Sequence, residues 1–216
     1  MNTSLRIKVC GLTRLDQIQE LIALNIDFMG FIFYEKSPRY VLNHLTLDEI
    51  SKINHHRKVG VFVNKNIEKI VEITEKANLN FIQLHGDENE IFISALKQKL
   101  NSKVGIIKVI RINPESVIST KEKFTTYFGQ NDIDYLLFDT DSKAFGGTGK
   151  QFDWSILNTI EIPLPYFLSG GISEDNIENS KHLKQKPFAL DINSKFETEP
   201  GNKDISKIKR FISSLL

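Results

Sequence analysis

The chain repeats one unit eight times: a short, uninterrupted apolar segment followed by a stretch with helical spacing. The apolar segments are RIKVC (6–10), FMGFIF (28–33), KVGVFV (58–63), FIQLH (81–85), VGIIKVIRI (104–112), YLLFD (135–139), PYFLSGG (165–171) and PFALDIN (187–193). A strand that is apolar throughout, rather than alternating, belongs in a parallel sheet covered on both faces. Between the segments, TRLDQIQELIALN places Leu15, Ile18, Leu21 and Ile22 on one helical face, with Thr13 as its expected cap. TLDEISKINHH (46–56) opens with Thr46 and carries Glu49 three residues on, a capping-box signature. NIEKIVEITEKAN, NEIFISALKQKL, residues 114–128, FDWSILNTI, SEDNIENSKHL and KDISKIKRFISSLL complete the predicted helices. Eight βα units without a linker predict an α/β fold, a (β/α)8 TIM barrel forming a single domain over residues 1–216. An open doubly wound sheet, the alternative, normally uses fewer strands.

At 216 residues the chain is long enough for one substantial core and short for two. With 28 basic against 27 acidic residues the formal charge is +1, so no nucleic-acid partner is expected. A single cysteine excludes an internal disulfide and a cysteine-based zinc site, and fits a reducing compartment. The N-terminal MNTSLRIKVCGL lacks a signal-peptide core, and no apolar run approaches a membrane span. A cytoplasmic protein without membrane contact is therefore expected.

In a (β/α)8 barrel the active site forms at the C-terminal ends of the strands. Cys10 ends the first strand segment, Arg39 lies after the second, His85 ends the fourth and Asp139 the sixth. A lone cysteine is most often a small buried hydrophobe. Its position at a strand end, where ionisable residues gather, instead favours a reactive thiol near a helix N-terminus that lowers its pKa. Two glycine clusters, AFGGTG (144–149) and SGG (169–171), follow the sixth and seventh strands, and Asn193 and Ser194 follow the eighth. Such glycines serve tight turns, but on adjacent late strands they also let backbone N–H groups and a following helix N-terminus approach a phosphate. GGTGK lacks P-loop spacing, so a nucleoside triphosphate is not indicated. No metal-ligand cluster or dinucleotide fingerprint is present, and no cofactor or metal is expected.

KVCGLT, GFIFYEKSPRYV, VGVFVN, IQLHGDE, FDTDSKAFGGTGKQFDW, LSGGI and EPGNKD, in this order and over essentially the whole chain, resemble the phosphoribosylanthranilate isomerase family of tryptophan biosynthesis. The resemblance implies an Amadori rearrangement of a phosphorylated aminosugar, which needs an acid at the ring oxygen and a base at C2′. It implies Cys10 as the base and Asp139 as the acid. Asp141 competes for the acid role, but Asp139 is the first polar position after the apolar YLLF run. Arg39 would pair with the anthranilate carboxylate; the alternative is a solvent-exposed loop arginine. Gln83 and His85 would line the pocket, or His85 is a buried hydrogen-bonded histidine. Gly146, Gly147, Gly149, Gly170, Gly171 and Ser194 would bind phosphate. After the eighth strand the family often reads SSGVE, whereas this chain has NSKFE, so that Lys195 and Phe196 depart from the pattern. Lys195 would add charge at the phosphate, or the backbone takes another path. The nearest rivals are a catalytically silent sugar-phosphate binder and an indole-glycerol-phosphate synthase, for which Lys8 and Lys108 offer strand lysines. A monomer or homodimer is expected.

Overall fold

Each of the eight apolar segments forms a strand in a computed structural model that describes residues 5–112, 132–140 and 152–215. The strands are β1 (Arg6–Val9), β2 (Phe28–Ile32), β3 (Lys58–Phe62), β4 (Phe81–Leu84), β5 (Gly105–Ile112), β6 (Tyr135–Thr140), β7 (Tyr166–Leu168) and β8 (Ala189–Ile192). Each pairs in parallel with its sequence neighbours, and β1 pairs with β8, closing the barrel.

The apolar residues divide between two faces because successive side chains on a strand point to opposite sides. One cluster joins Met29, Phe31, Ile82, Leu84, Leu136 and Leu190 to helix residues such as Ile18, Ile70 and Ile208. The other fills the barrel itself with Phe28, Val59, Ile107, Val109, Leu137, Phe167 and Ala189. At the N-terminal end of the barrel Phe28, Phe81, Tyr135, Phe167 and Phe188 pack mostly edge to face, with Phe28 and Phe167 centroids 5.1 Å apart. The Arg6 guanidinium lies 4.3 Å from the centroid of the Phe188 ring, and that of Arg57 5.2 Å from Phe28.

The helices are α1 (Leu15–Ala23), α2 (Leu47–Lys52), α3 (Ile67–Lys76), α4 (Glu90–Lys99) and α5 (Ile205–Ser214). Thr46 and Glu49 form the expected capping box on α2, and Asn66, Asn89 and Asp204 cap α3, α4 and α5. Thr13 does not cap α1. Its hydroxyl donates to the Gly201 carbonyl at 2.7 Å, and Arg14 occupies the cap position without a side-chain bond. Leu15 is 37% exposed, and the buried face of α1 is Gln17, Ile18 and Leu21.

Two predicted helices are 3-10 turns instead, Trp154–Thr159 and Ile177–His182. Their Asp and Asn side chains compete with helical bonding. Asp153 accepts from Ser155 N, while Asn176 accepts from Ser173 N and donates to Gly171 O. The helix expected at 114–128 lies outside the described residues. A short hairpin that the pattern did not indicate, β9 (Glu197–Glu199) with β10 (Asn202–Lys203), follows β8. Among the described residues no helix is long and apolar enough to cross a membrane.

Candidate active site

Along single strands the inward positions change from aromatic to polar toward the C-terminal end. On β6 the series is Tyr135, Leu137, Asp139; on β4 it is Phe81, Gln83 and then His85 just past the strand. On β1, Lys8 is followed by Cys10, and on β8 Ala189 by Asp191. The period of two that buries the apolar residues therefore brings these side chains to one barrel mouth.

Lys8 is fully buried and lies opposite Asp191 in the β1–β8 register, with its Nζ 2.8 Å from Asp191 Oδ1. Burial pulls the Lys8 ammonium down, but Asp191 and Cys10 outweigh it and hold the group above its ordinary value. Burial likewise pushes Asp191 up, with Lys8 opposing. Cys10, 5% exposed, is pushed up by burial, and Lys8 and Lys203 only partly offset this. The expected helix-lowered thiol is thus not what surrounds Cys10; in a dry pocket the uncharged form gains more than the cations return. Gly30 on β2 makes room for the thiol, since a Cβ there would stand 2.9 Å from Cys10 Sγ.

Across the mouth, His85 Nε2 lies 3.4 Å from Asp139 Oδ2, and Gln83 Nε2 lies 3.1 Å from His85 Nδ1. The Gln83 amide and the Asp139 carboxylate thus flank the two ring nitrogens of His85. Gln83 Oε1 is buried without a hydrogen-bond partner among the described residues, an acceptor that a ligand hydroxyl would satisfy. Asp139 Oδ1 accepts from Thr140 N at 2.8 Å. Asp191 links the two halves: its carboxylate feels Lys8 on one side and Asp139 and His85 on the other.

Arg39 is no exposed loop arginine. It is 7% exposed, and its Nε and Nη2 bind Glu197 at 2.9 and 2.7 Å. Gly170 and Gly171 both have positive φ, +85° and +76°, as tight turns require. Among the described residues their backbone N–H groups have no protein acceptor. The turn that follows them is too short to act as an anion-binding helix N-terminus, which corrects the expected helix contribution. Ser194 is half-buried at the start of a 3-10 turn, Ser194–Phe196. Lys195 points to solvent, and Phe196 is fully buried against Phe211, ring centroids 4.8 Å apart. The departure from SSGVE therefore serves packing onto α5. Gly146, Gly147, Gly149 and Asp141 lie outside the described residues.

Sequence reasoning did not assign Asp191, Glu197 or Lys203 to the site and considered Lys8 only as a rival's lysine. A lone charge inside an otherwise apolar strand was the available signal, because such a charge needs a buried partner. Lys108 meets that need with Glu88, Nζ to Oε2 2.9 Å, just as Lys8 does with Asp191. Among the described residues no group of three His, Cys, Asp or Glu side chains is placed to hold a metal.

Residues 7–214 match the family model for N-(5'phosphoribosyl)anthranilate (PRA) isomerase. The N-(5'-phosphoribosyl)anthranilate isomerase of Parabacteroides distasonis is 40% identical over 213 residues, 97% of this chain and 93% of that one. The enzyme of the same name from Caldanaerobacter subterraneus subsp. tengcongensis is 38% identical over 97% of both chains. Among solved structures, phosphoribosyl anthranilate isomerase from Thermotoga maritima superposes with a TM-score of 0.77 at 31% identity over 98% of both chains. A phosphoribosyl anthranilate isomerase in complex with reduced 1-(o-carboxyphenylamino)-1-deoxyribulose 5-phosphate superposes at 0.75, with 29% identity and 98% coverage of each. Matched from β1 to α5 in sequence and in fold, the chain belongs to the N-(5'-phosphoribosyl)anthranilate isomerase family.

Proposed function

We propose that Cys10 and Asp139 are the base and acid of the family's isomerisation, with Arg39 at the anthranilate carboxylate and the loops after β6, β7 and β8 at the phosphate. As a member of the family the chain is an isomerase of tryptophan biosynthesis, converting N-(5'-phosphoribosyl)anthranilate into 1-(2-carboxyphenylamino)-1-deoxyribulose 5-phosphate. In the proposed mechanism Asp139 gives its proton to the furanose oxygen, the C1′–O bond breaks and an iminium remains. Cys10 then removes the C2′ proton to give the enolamine, which returns to the ketone with a proton at C1′. The thiol's raised pKa makes Cys10 a stronger proton acceptor once ionised, and Lys8 and Lys203 are the cations that hold the thiolate. Gln83 and His85 line the sugar side, where Gln83 Oε1, without a partner among the described residues, would accept from a hydroxyl.

The observation that carries this reading is positional: Cys10 directly follows β1 and Asp139 lies near the end of β6, so the closed parallel barrel brings both to its C-terminal mouth, where a sugar would lie between them. The positive-φ turn at Gly170 and Gly171, whose N–H groups have no acceptor among the described residues, supports the phosphate position. We further propose that the barrel is the whole 1–216 unit, works in the cytoplasm as a monomer or homodimer, and binds neither nucleic acid nor membrane. Purified protein should turn over the substrate with no added metal and retain its rate in chelator. Activity lost to the chelator and restored by a divalent cation would overturn the metal-free acid–base mechanism.

A further inference from the structure

The hairpin after β8 carries the EPGNKD motif, of which the reaction as described uses only Lys203, and it is fastened to the start of the barrel through Thr13 and Gln17. Gly201 O accepts from Thr13, and Gln17 exchanges hydrogen bonds with the Lys203 backbone at 2.8 and 2.9 Å. At its base, the side chain of Glu197 is 3% exposed and accepts from three residues. Arg39 binds it through Nε and Nη2, Lys203 Nζ lies 2.6 Å from Oε1, and Gly201 N donates at 3.1 Å. Lys203 is itself fixed from the other side by Asn193 Oδ1 at 2.8 Å. The stem of Arg39 is seated against Gly11, where a Cβ would stand 2.7 Å from Arg39 Cδ.

We propose that Glu197 and Lys203 are positioning residues for Arg39, and that this cluster sets the preference for a substrate bearing an aryl carboxylate. The proposal rests on the reading of Arg39 as the carboxylate contact. Two features carry it. A guanidinium is a planar fork, and Glu197 occupies its Nε–Nη2 edge, so the plane is fixed and Nη1, which has no protein partner among the described residues, is the edge left for a ligand. The cluster also holds two buried cations against one carboxylate, and an incoming carboxylate neutralises the remaining positive charge. Burial pushes Glu197 up, but Arg39 and Lys203 outweigh it and keep the carboxylate ionised.

The test compares two probes by calorimetric titration: reduced 1-(o-carboxyphenylamino)-1-deoxyribulose 5-phosphate and the same compound made from aniline, without the carboxylate. The wild type should prefer the carboxylate probe by ~10- to 100-fold, the span of one charged hydrogen bond. Glu197→Gln should cut that preference about tenfold while the aniline probe binds within about threefold of wild type, and KM should rise with kcat little changed. Equal weakening of both probes, with the preference kept, would mean that Glu197 only holds the fold, and the proposal would fall. Should Glu197→Gln not fold, Lys203→Met decides: it leaves the Arg39–Glu197 pair neutral, so the preference should drop several-fold, and an unchanged preference overturns the proposal. Arg39→Met, measured in parallel, separates the two failures. If it keeps the preference, Arg39 does not meet the carboxylate and the proposal goes with it. If it loses the preference while Glu197→Gln keeps it, the role of Arg39 stands and only its positioning by Glu197 is wrong.

Discussion

The two ends of the barrel are built from the same strands on the same side-chain period, yet they solve opposite problems. At the N-terminal end Phe28, Phe81, Tyr135, Phe167 and Phe188 interlock, with the Arg6 and Arg57 guanidiniums laid against the Phe188 and Phe28 rings. Four residues further along β6, or at the close of β1 and β8, the interior holds Asp139, Lys8, Cys10 and Asp191. Aromatic packing gains from every apolar contact, at roughly 25 cal/mol per Å² removed from water. Desolvating a charge costs several kcal/mol before its partner returns any of it. Apolar packing therefore stabilises one end, whereas the other carries paired, buried charges at the mouth where the proposed chemistry takes place.

The sharpest way to break this comparison is at the thiol. Cys10→Ser should lower turnover by ~10²- to 10⁴-fold, with substrate binding nearly unchanged, because a serine hydroxyl is scarcely ionised near neutral pH. Asp139→Asn should fall comparably, since an amide is no acid. In the wild type the thiol is held above its ordinary pKa, so kcat/KM should climb with pH through and beyond neutrality as the thiolate forms. A Cys10→Ser variant with near-normal turnover would return the thiol to ordinary packing and erase the distinction between the two ends.

Phe28→Ala tests the opposite end. It removes a 1% exposed ring that contacts Phe81, Phe167 and Phe188, and it should cost ~3–5 kcal/mol in denaturant unfolding. The kcat of the folded fraction should stay close to wild type. A large drop in kcat without loss of stability would mean that the plug governs the chemistry at a distance.

Gly30→Ala probes the boundary and should have the smallest effect. The added methyl presses on Cys10 Sγ, so stability should fall by about 1–3 kcal/mol and turnover about tenfold as the thiol shifts. Unchanged kinetics would show that the position of the thiol is looser than the packing around it implies.

Much of this molecule was legible without coordinates. The eight continuous apolar segments determined a covered parallel sheet, and the capping box at Thr46–Glu49 formed as written, because both follow from local spacing. The strand-end positions of Cys10, His85 and Asp139 were equally local, which is why those candidates meet at one mouth. Thr13, by contrast, had the right chemistry for a cap, but a carbonyl 188 residues away took its hydroxyl. Arg39 read equally well as an exposed arginine until Glu197, 158 residues downstream, proved to hold it. Lys8 and Asp191 are single charges at opposite ends of the chain, 183 residues apart, and each alone looks like an error in an apolar strand. Only closure of the barrel puts β8 beside β1 and makes them partners. Periodicity is a property of neighbouring residues and survives in the sequence; the pairing of buried charges depends on which distant strands become adjacent, and that is decided when the sheet closes.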